Sequence, residues 1–385
     1  MKKLHLLLSI SALAGIILVS CEGPAGPSGR DANESCTQCH NSDVVGAKSI
    51  EYEHSLHATG EAFEQGTRTI CAPCHSHQGF LYVVKNNTPA TFTQSGTSYT
   101  NNFVVNSATA SLPGPISCFT CHSSLHTTYT GEDFFPLTTT AAVPMTMWGG
   151  SKTVNFQKSE SNLCAKCHQP RPVTGSNGNV IDYSLLVSSP SGNYTLSSLG
   201  YRTGVHYGTH AAMASGTGGI EFGTGYSNSQ HVTKASCTMC HMAAPSGLAG
   251  GHSFNASGNF NGCNTTGCHS NMSSTNTTYT AAVADIQTKL DQLATKINAI
   301  GGGHDILQKD PADNKYHGYL DIYDASANPT GYWKNPAYGT PAFPTLTNAQ
   351  FGAILNYQLV FRDGSKGVHN YPYMKKLLEN TLAAW

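Results

Sequence analysis

Cys71-Ala72-Pro73-Cys74-His75 places two thiols three positions apart and an imidazole directly after the second. The same pattern recurs at Cys36-Cys39-His40, Cys118-Cys121-His122, Cys164-Cys167-His168 and Cys237-Cys240-His241. A sixth copy, Cys263-Asn264-Thr265-Thr266-Gly267-Cys268-His269, has four residues between its cysteines instead of two. These pairs use every one of the 13 cysteines in the 385-residue chain except Cys21. Intervals of 35, 47, 46, 73 and 26 residues separate the first cysteines of successive motifs, so the pattern is not a simple tandem repeat.

Two thiols at this spacing can add to the two vinyl groups on one edge of a porphyrin, while the following histidine sets an imidazole nitrogen under the iron. Widening the loop to four residues lets it bulge without disturbing the second cysteine and its histidine, so the sixth motif is read as a haem site too. Structural zinc also uses C-x-x-C pairs, but its histidines come in separate spaced pairs. Disulfides suit an exported chain, yet bonds inside each pair would leave six adjacent histidines unexplained. The cofactor expected is therefore six covalently attached haem c groups, with His40, His75, His122, His168, His241 and His269 as proximal ligands.

The chain thus resembles the multihaem c-type cytochromes over the stretch from Cys36 to His269. In that family most irons take a second histidine from elsewhere in the chain. Of the 18 histidines, eleven remain once His5 and the six proximal ones are set aside. On the likeness of their local sequence to distal-ligand segments, the candidates are His57, His126, His206, His231, His252 and His369, with His54, His77 and His210 in reserve. His304 and His317 have no matching context. Met213, Met239 and Met242 lie near motifs, but with histidine in surplus they are not needed as ligands. His369, in Gly367-Val368-His369-Asn370, resembles the C-terminal ligand segment of the nitrite reductase and hydroxylamine oxidoreductase group.

Lys2 and Lys3 followed by the apolar stretch Leu4 to Val19 read as a secretory signal, and Leu18-Val19-Ser20-Cys21 resembles a lipobox. Residues 1–20 are expected to be removed and Cys21 lipidated, each buried acyl methylene contributing about 0.8 kcal/mol to membrane attachment. Residues 21–35, rich in Gly and Pro, form a tether that in extended form reaches about 40 Å. Residues 36–274 are expected to form the six-haem domain, and 275–385 a helical region that returns to the haems only at His369. Glu22 is not the Asp that retains some lipoproteins at the inner membrane, so the outer membrane is preferred, on its periplasmic or cell-surface face.

Hydrophobic residues make up 39% of the chain and charged residues 11%, with extended apolar runs scarce beyond the N-terminus. A large apolar cofactor is needed to fill such an interior. Between motifs, 86–115 and 127–155 read as short strands or hairpins on an irregular framework, with short helical pieces. After the last motif the pattern changes. Val283, Ile286, Leu290, Leu293, Ile297 and Ile300 recur at steps of three and four, predicting an amphipathic helix that Gly301-Gly302-Gly303 stops. Two further helices are expected, from about Thr347 to Phe361 and from about Pro372 to Leu382. Their apolar stripes imply helix packing or a homo-oligomer seam. The fold class expected is a multihaem cytochrome c: mostly irregular, with short α elements, few short strands and a helical C-terminus.

The resemblance implies an electron-transfer conduit between redox proteins, quinol-linked or outer-membrane cytochromes, with no role for nucleic acid. Six haems shared among so few residues cannot be insulated from one another. A reductase of nitrite, hydroxylamine or sulfur oxyanions is the alternative, needing one iron with an open face, but the chain lacks the C-x-x-C-K site of nitrite reductases. A subunit of a cytochrome filament or surface complex is the third reading.

Overall fold

In the computed structural model of the protein, the second, third and fifth motifs fold as single turns of helix, because the thiols stand three positions apart and one turn brings them to the same side. Described are residues 41–67, 70–86, 93–95, 98–100, 114–123, 136–173, 181–195, 204–300, 306–309, 316–320 and 345–385. Chain contacts divide the molecule into Met1–Ile50 and Glu51–Trp385. Of the first unit, residues 41–50 are described, as most of helix α1 (Ser42–Glu53). Cys21, the first motif with Cys36, Cys39 and His40, the candidate ligand His126, and His304 lie outside the described residues, as do the signal and tether.

The second unit starts with α2 (Leu56–Thr59), whose first turn is capped by the buried Ser55 hydroxyl accepting from the Ala58 amide. The second motif is α3 (Ala72–His75), and Ser76 caps the α4 (His77–Lys85) that follows. A short hairpin, β1 (Thr93–Ser95) with β2 (Ser98–Thr100), precedes the third motif, α5 (Cys118–Cys121). Another hairpin, β3 (Val143–Pro144) with β4 (Thr153–Val154), leads to α6 (Glu160–Cys167), which ends on the fourth motif. Then come α7 (Tyr183–Ser188), β5 (Asn193–Thr195), α8 (His210–Ser215), α9 (His231–Lys234) and α10 (Cys237–His241), the fifth motif. The hairpins fall in the segments predicted to carry them.

Beyond the sixth motif the chain becomes regular. Helix α11 (Thr277–Ala299) is capped by Asn276, whose side chain accepts from two first-turn amides. Its Ile286, Leu290, Leu293, Ala294 and Ile297 are buried, and the predicted stripe packs against two other helices of the same chain. These are α12 (Asn348–Asp363), opened by a Thr347/Gln350 capping box and closed by Gly364 at φ 71°, and α13 (Tyr371–Ala383). Between α11 and α12 the structure adds strands that the sequence pattern did not reveal. Strand β6 (Leu307–Lys309) pairs with β7 (Tyr316–Leu320), and β8 (Thr345–Thr347) pairs antiparallel with the distant β5. All four sheets are two-stranded, and the described fold is mostly helical with few short strands. No helix among the described residues is long and apolar enough to cross a membrane.

Helix α12 is buried along almost its whole length and organises the rest. Its Asn356 amide, wholly buried, accepts from Ile220 N–H (2.8 Å) and donates to the Ile220 carbonyl (2.8 Å) and Thr381 hydroxyl (2.8 Å). A buried amide so fully paired costs little and fixes register. Gln358 accepts from Val205 N–H (2.8 Å), Arg362 donates to the Val205 carbonyl, and the Thr209 hydroxyl donates to the Leu359 carbonyl (2.8 Å). Thus α12 holds the loop 204–210, which carries two of the surplus histidines.

Candidate haem-binding cavity

Four of the described motifs close on themselves. The histidine N–H returns to the carbonyl of the first cysteine in His75→Cys71 (3.0 Å), His122→Cys118 (2.9 Å) and His168→Cys164 (2.9 Å). The widened sixth motif makes the same closure, His269→Cys263 at 3.0 Å. Its two extra residues are taken up in an exposed bulge, where Gly267 adopts φ 84° in open space. Any side chain there is strained by backbone conformation alone.

The described motifs line one continuous cavity of ≈ 3060 Å³. That is several times the ~300–1,000 Å³ of a single small-molecule pocket. All ten described cysteines are free thiols. Cys74 touches Cys167, and Cys164 touches Cys237, so the fourth motif joins the second and the fifth through sulfur contacts. Cys121 lies within electrostatic reach of Cys164 and Cys167, and Cys240 of Cys263 and Cys268. Burial pushes the Cys121 and Cys240 thiols up to about 11. Both are therefore neutral thiols at pH 7.

Five motif histidines each face a second imidazole across this cavity. The ring centres are 6.1 Å apart for His75 and His206, 6.2 Å for His122 and His252, and 6.0 Å for His168 and His57. They are 6.2 Å apart for His241 and His369, and 6.0 Å for His269 and His231. Two imidazole nitrogens each about 2 Å from one metal place their ring centres about 6 Å apart, so the spacing fits a shared ion. The residues come in twos, and among the described residues no group of three or more His, Cys, Asp or Glu converges as in a structural zinc site.

The second nitrogen of these rings is engaged by the scaffold. His75 Nδ1 lies 2.9 Å from the Ala62 carbonyl, His206 Nδ1 2.9 Å from Tyr207 O, His241 Nδ1 2.8 Å from Phe254 O, and His231 Nδ1 2.8 Å from Val368 O. Such bonds fix ring orientation and leave the opposite nitrogen for a metal. His369 instead meets a carboxylate, Asp363 Oδ1, at 2.7 Å. Burial opposes charge on His369, but Asp363 outweighs it and the net pKa is raised; Asp363 is correspondingly lowered. His252 is held by Glu51 Oε2, which accepts from its backbone N–H (2.9 Å) and lies 3.5 Å from Nδ1. A Cβ on Gly251 would come within 2.3 Å of that oxygen. Burial lowers His206 to about 4 and His168, flanked by further imidazoles, to about 3. Neutral imidazole is the form a metal binds.

The reserve histidines are placed differently. His54 is exposed. His77 Nδ1 bonds Thr120 Oγ1 at 2.8 Å, tying α4 to the third motif. His210 stands between His168 and His369, its ring centre 4.9 Å from the first and 6.0 Å from the second. Met213 is packed in the apolar core, whereas Met239 and Met242 line the cavity. The expectation that the C-terminal region reaches the cavity only at His369 is too narrow: Thr278, Tyr279, Asp285 and Tyr371 line it as well. The first turns of α11 run along the sixth motif, an approach that no local pattern encodes. Asp363 and Glu51 were also not singled out in the sequence. The one available signal was Asp363, six residues before His369, at the end of a predicted helix.

The chain is distantly similar to multihaem c-type cytochromes. The C-type polyheme cytochrome OmcC of Geobacter sulfurreducens is 25% identical over 185 residues, 45% of this chain and 22% of that protein. The crystal structure of the outer cell wall cytochrome OcwA superposes with a TM-score of 0.46 at 20% identity, over 88% of this chain and 50% of that one. The chain therefore spans about a fifth of the first and half of the second. No family model matches it.

Proposed function

We propose that this protein is an exported six-haem c-type cytochrome, lipid-anchored through Cys21 at the outer membrane, that passes electrons between redox proteins. The observation that carries this reading is the set of five motif histidines, each facing a second imidazole with ring centres 6.0–6.2 Å apart. The axial pairs are then His75/His206, His122/His252, His168/His57, His241/His369 and His269/His231. His40 serves the first site, with His126 as the partner left for it. When bound, each haem supplies a one-electron iron couple. The chain's residues attach it, fix both imidazoles and keep water from the metal.

Conduction is favoured over reduction of nitrite, hydroxylamine or sulfur oxyanions because each of the five described motif histidines has a second imidazole that would complete its iron's ligation. A reductase needs an open face. The sulfur contacts among the second, fourth and fifth motifs support close haem spacing, which transfer between sites requires.

Electron paramagnetic resonance of the oxidised holoprotein is the test. Six low-spin ferric haems are expected, and His252→Ala is expected to convert one of them to high-spin. A high-spin signal in the unaltered protein that shifts with nitrite or hydroxylamine would replace the conduit with an enzyme. A holoprotein mass with five haems, and Cys263 and Cys268 free, would remove the sixth site. Protease shaving of intact cells checks the location, with loss of the haem-stained band expected for the cell-surface face.

A further inference from the structure

Two histidines that line the cavity are left over once the five pairs are drawn, the exposed His54 and His210. His210, the first residue of α8, brings its Nδ1 to 3.2 Å from Nδ1 of His168. Their ring centres are 4.9 Å apart at 72°. This is too close for a metal between them, which needs about 6 Å. The nitrogen used is also the wrong one. In His75 and His241 the same Nδ1 is spent on a backbone carbonyl, at 2.9 and 2.8 Å, and His168 has His210 in that place. The contact is built rather than incidental: the Ala211 N–H donates to the His168 carbonyl at 2.9 Å, and the Thr209 hydroxyl is anchored on the Leu359 carbonyl.

We propose that His210 is a positioning residue for the fourth haem site: it accepts the Nδ1–H of His168 and sets the reduction potential there, without ligating iron. The proposal rests on the axial pairing above, with His57 as the second ligand of that site. With Nε2 of His168 on iron, its Nδ1 carries the proton, so His210 presents a bare Nδ1 and keeps its own proton on Nε2. An acceptor at that position gives the ligand more anionic character, favours the ferric state and lowers the potential. The His210 ring centre is also 6.0 Å from that of His369, the distal ligand proposed for the fifth site.

The test uses the full-length holoprotein, with potentiometric titration followed by visible absorption and low-temperature paramagnetic resonance. His210→Phe, which has no acceptor, is expected to keep every haem low-spin, raise one midpoint potential and change one low-spin signal. His210→Glu places a charged acceptor in the same position and is expected to move that potential down. Should the Phe variant fail to mature, the Glu variant decides: a downward shift supports the proposal, while no shift or an upward one overturns it. Unchanged potentials and signals in His210→Phe overturn the proposal and leave the pairing intact. A new high-spin signal in His210→Phe means that His210 is itself a ligand, which overturns both. His57→Ala separates these cases, because it is expected to create one high-spin haem, and six low-spin haems in that variant would remove the pairing alone.

Discussion

Residues 54–272 and the three C-terminal helices solve the problem of an interior in opposite ways. Where it is described, the first region is irregular, its motif helices last one or two turns, and its side chains surround a cavity. The second buries Ile286, Leu290, Leu293, Phe351, Leu355, Leu359, Tyr373 and Leu377 in an apolar core that Met145, Leu186, Met213 and Ile220 of the first region join. A helix is stabilised mainly by packing an apolar face, and a four-residue turn has almost none to offer. The difference teaches that the cysteines of the first region do what apolar stripes do in the second: they fasten the filling of the core to the backbone.

The sharpest break between the regions is expected when haem is withheld. Expressed in a host that cannot attach it, the chain is expected to keep slow amide exchange in 283–299 and 348–383 and to lose it in the motif turns 71–75, 118–121 and 237–241. Equal protection in both would refute the contrast. Next in size is Leu293→Ala, at a fully buried position. It is expected to cost about 2–5 kcal/mol in urea unfolding while leaving the haem spectrum unchanged.

Asp363 sits on the seam, ending α12 and holding His369. Asp363→Asn removes a charged acceptor from a buried hydrogen bond and is expected to cost about 1.5–3 kcal/mol, together with a change in one low-spin signal. A stability loss without a spectral change would assign Asp363 to the helical region alone. Thr347→Ala deletes one arm of the α12 capping box and is expected to cost about 1 kcal/mol, read as a shift in the urea midpoint.

The smallest effect concerns Asp285 and Lys289, 2.7 Å apart on the surface of α11. Burial opposes the charge on Asp285, but Lys289 and the Tyr371 hydroxyl outweigh it and hold its pKa below the usual carboxylate value; the bond to Asp285 raises that of Lys289. The pair's contribution, below about 1 kcal/mol, is therefore present across neutral pH. It is lost as pH falls below about 4 through the lowered Asp285 value, and as pH rises above about 10.4 through the raised Lys289 value. Asp285→Asn is expected to flatten the acid limb of the urea midpoint against pH. An unchanged limb would show that the pair contributes nothing.

Much of the helical region was legible because its periodicity is local: the i, i+3, i+4 recurrence from Val283 to Ile300 follows from 3.6 residues per turn, whatever the helix packs against. The haem motifs were legible for a similar reason, since covalent chemistry at one porphyrin edge demands a fixed short spacing. The β5–β8 pairing was not, because three-residue strands more than 150 positions apart carry no periodic signal. The partner of each motif histidine was not legible either: His57 faces His168, and His206 faces His75. Local sequence nominated candidates but not pairs.

By itself, then, the sequence determined the number and position of the cysteine–histidine motifs, the surplus of histidines and the three C-terminal helices, all properties of neighbouring residues. Only the tertiary structure decided which imidazoles meet, that Asp363 and Glu51 back two of them, and that His210 meets His168 rather than lying across a metal from it. Those outcomes depend on distances between segments far apart in the chain. They are set where α12 fastens the loop 204–210 and where His269, after the widened turn, stands opposite His231.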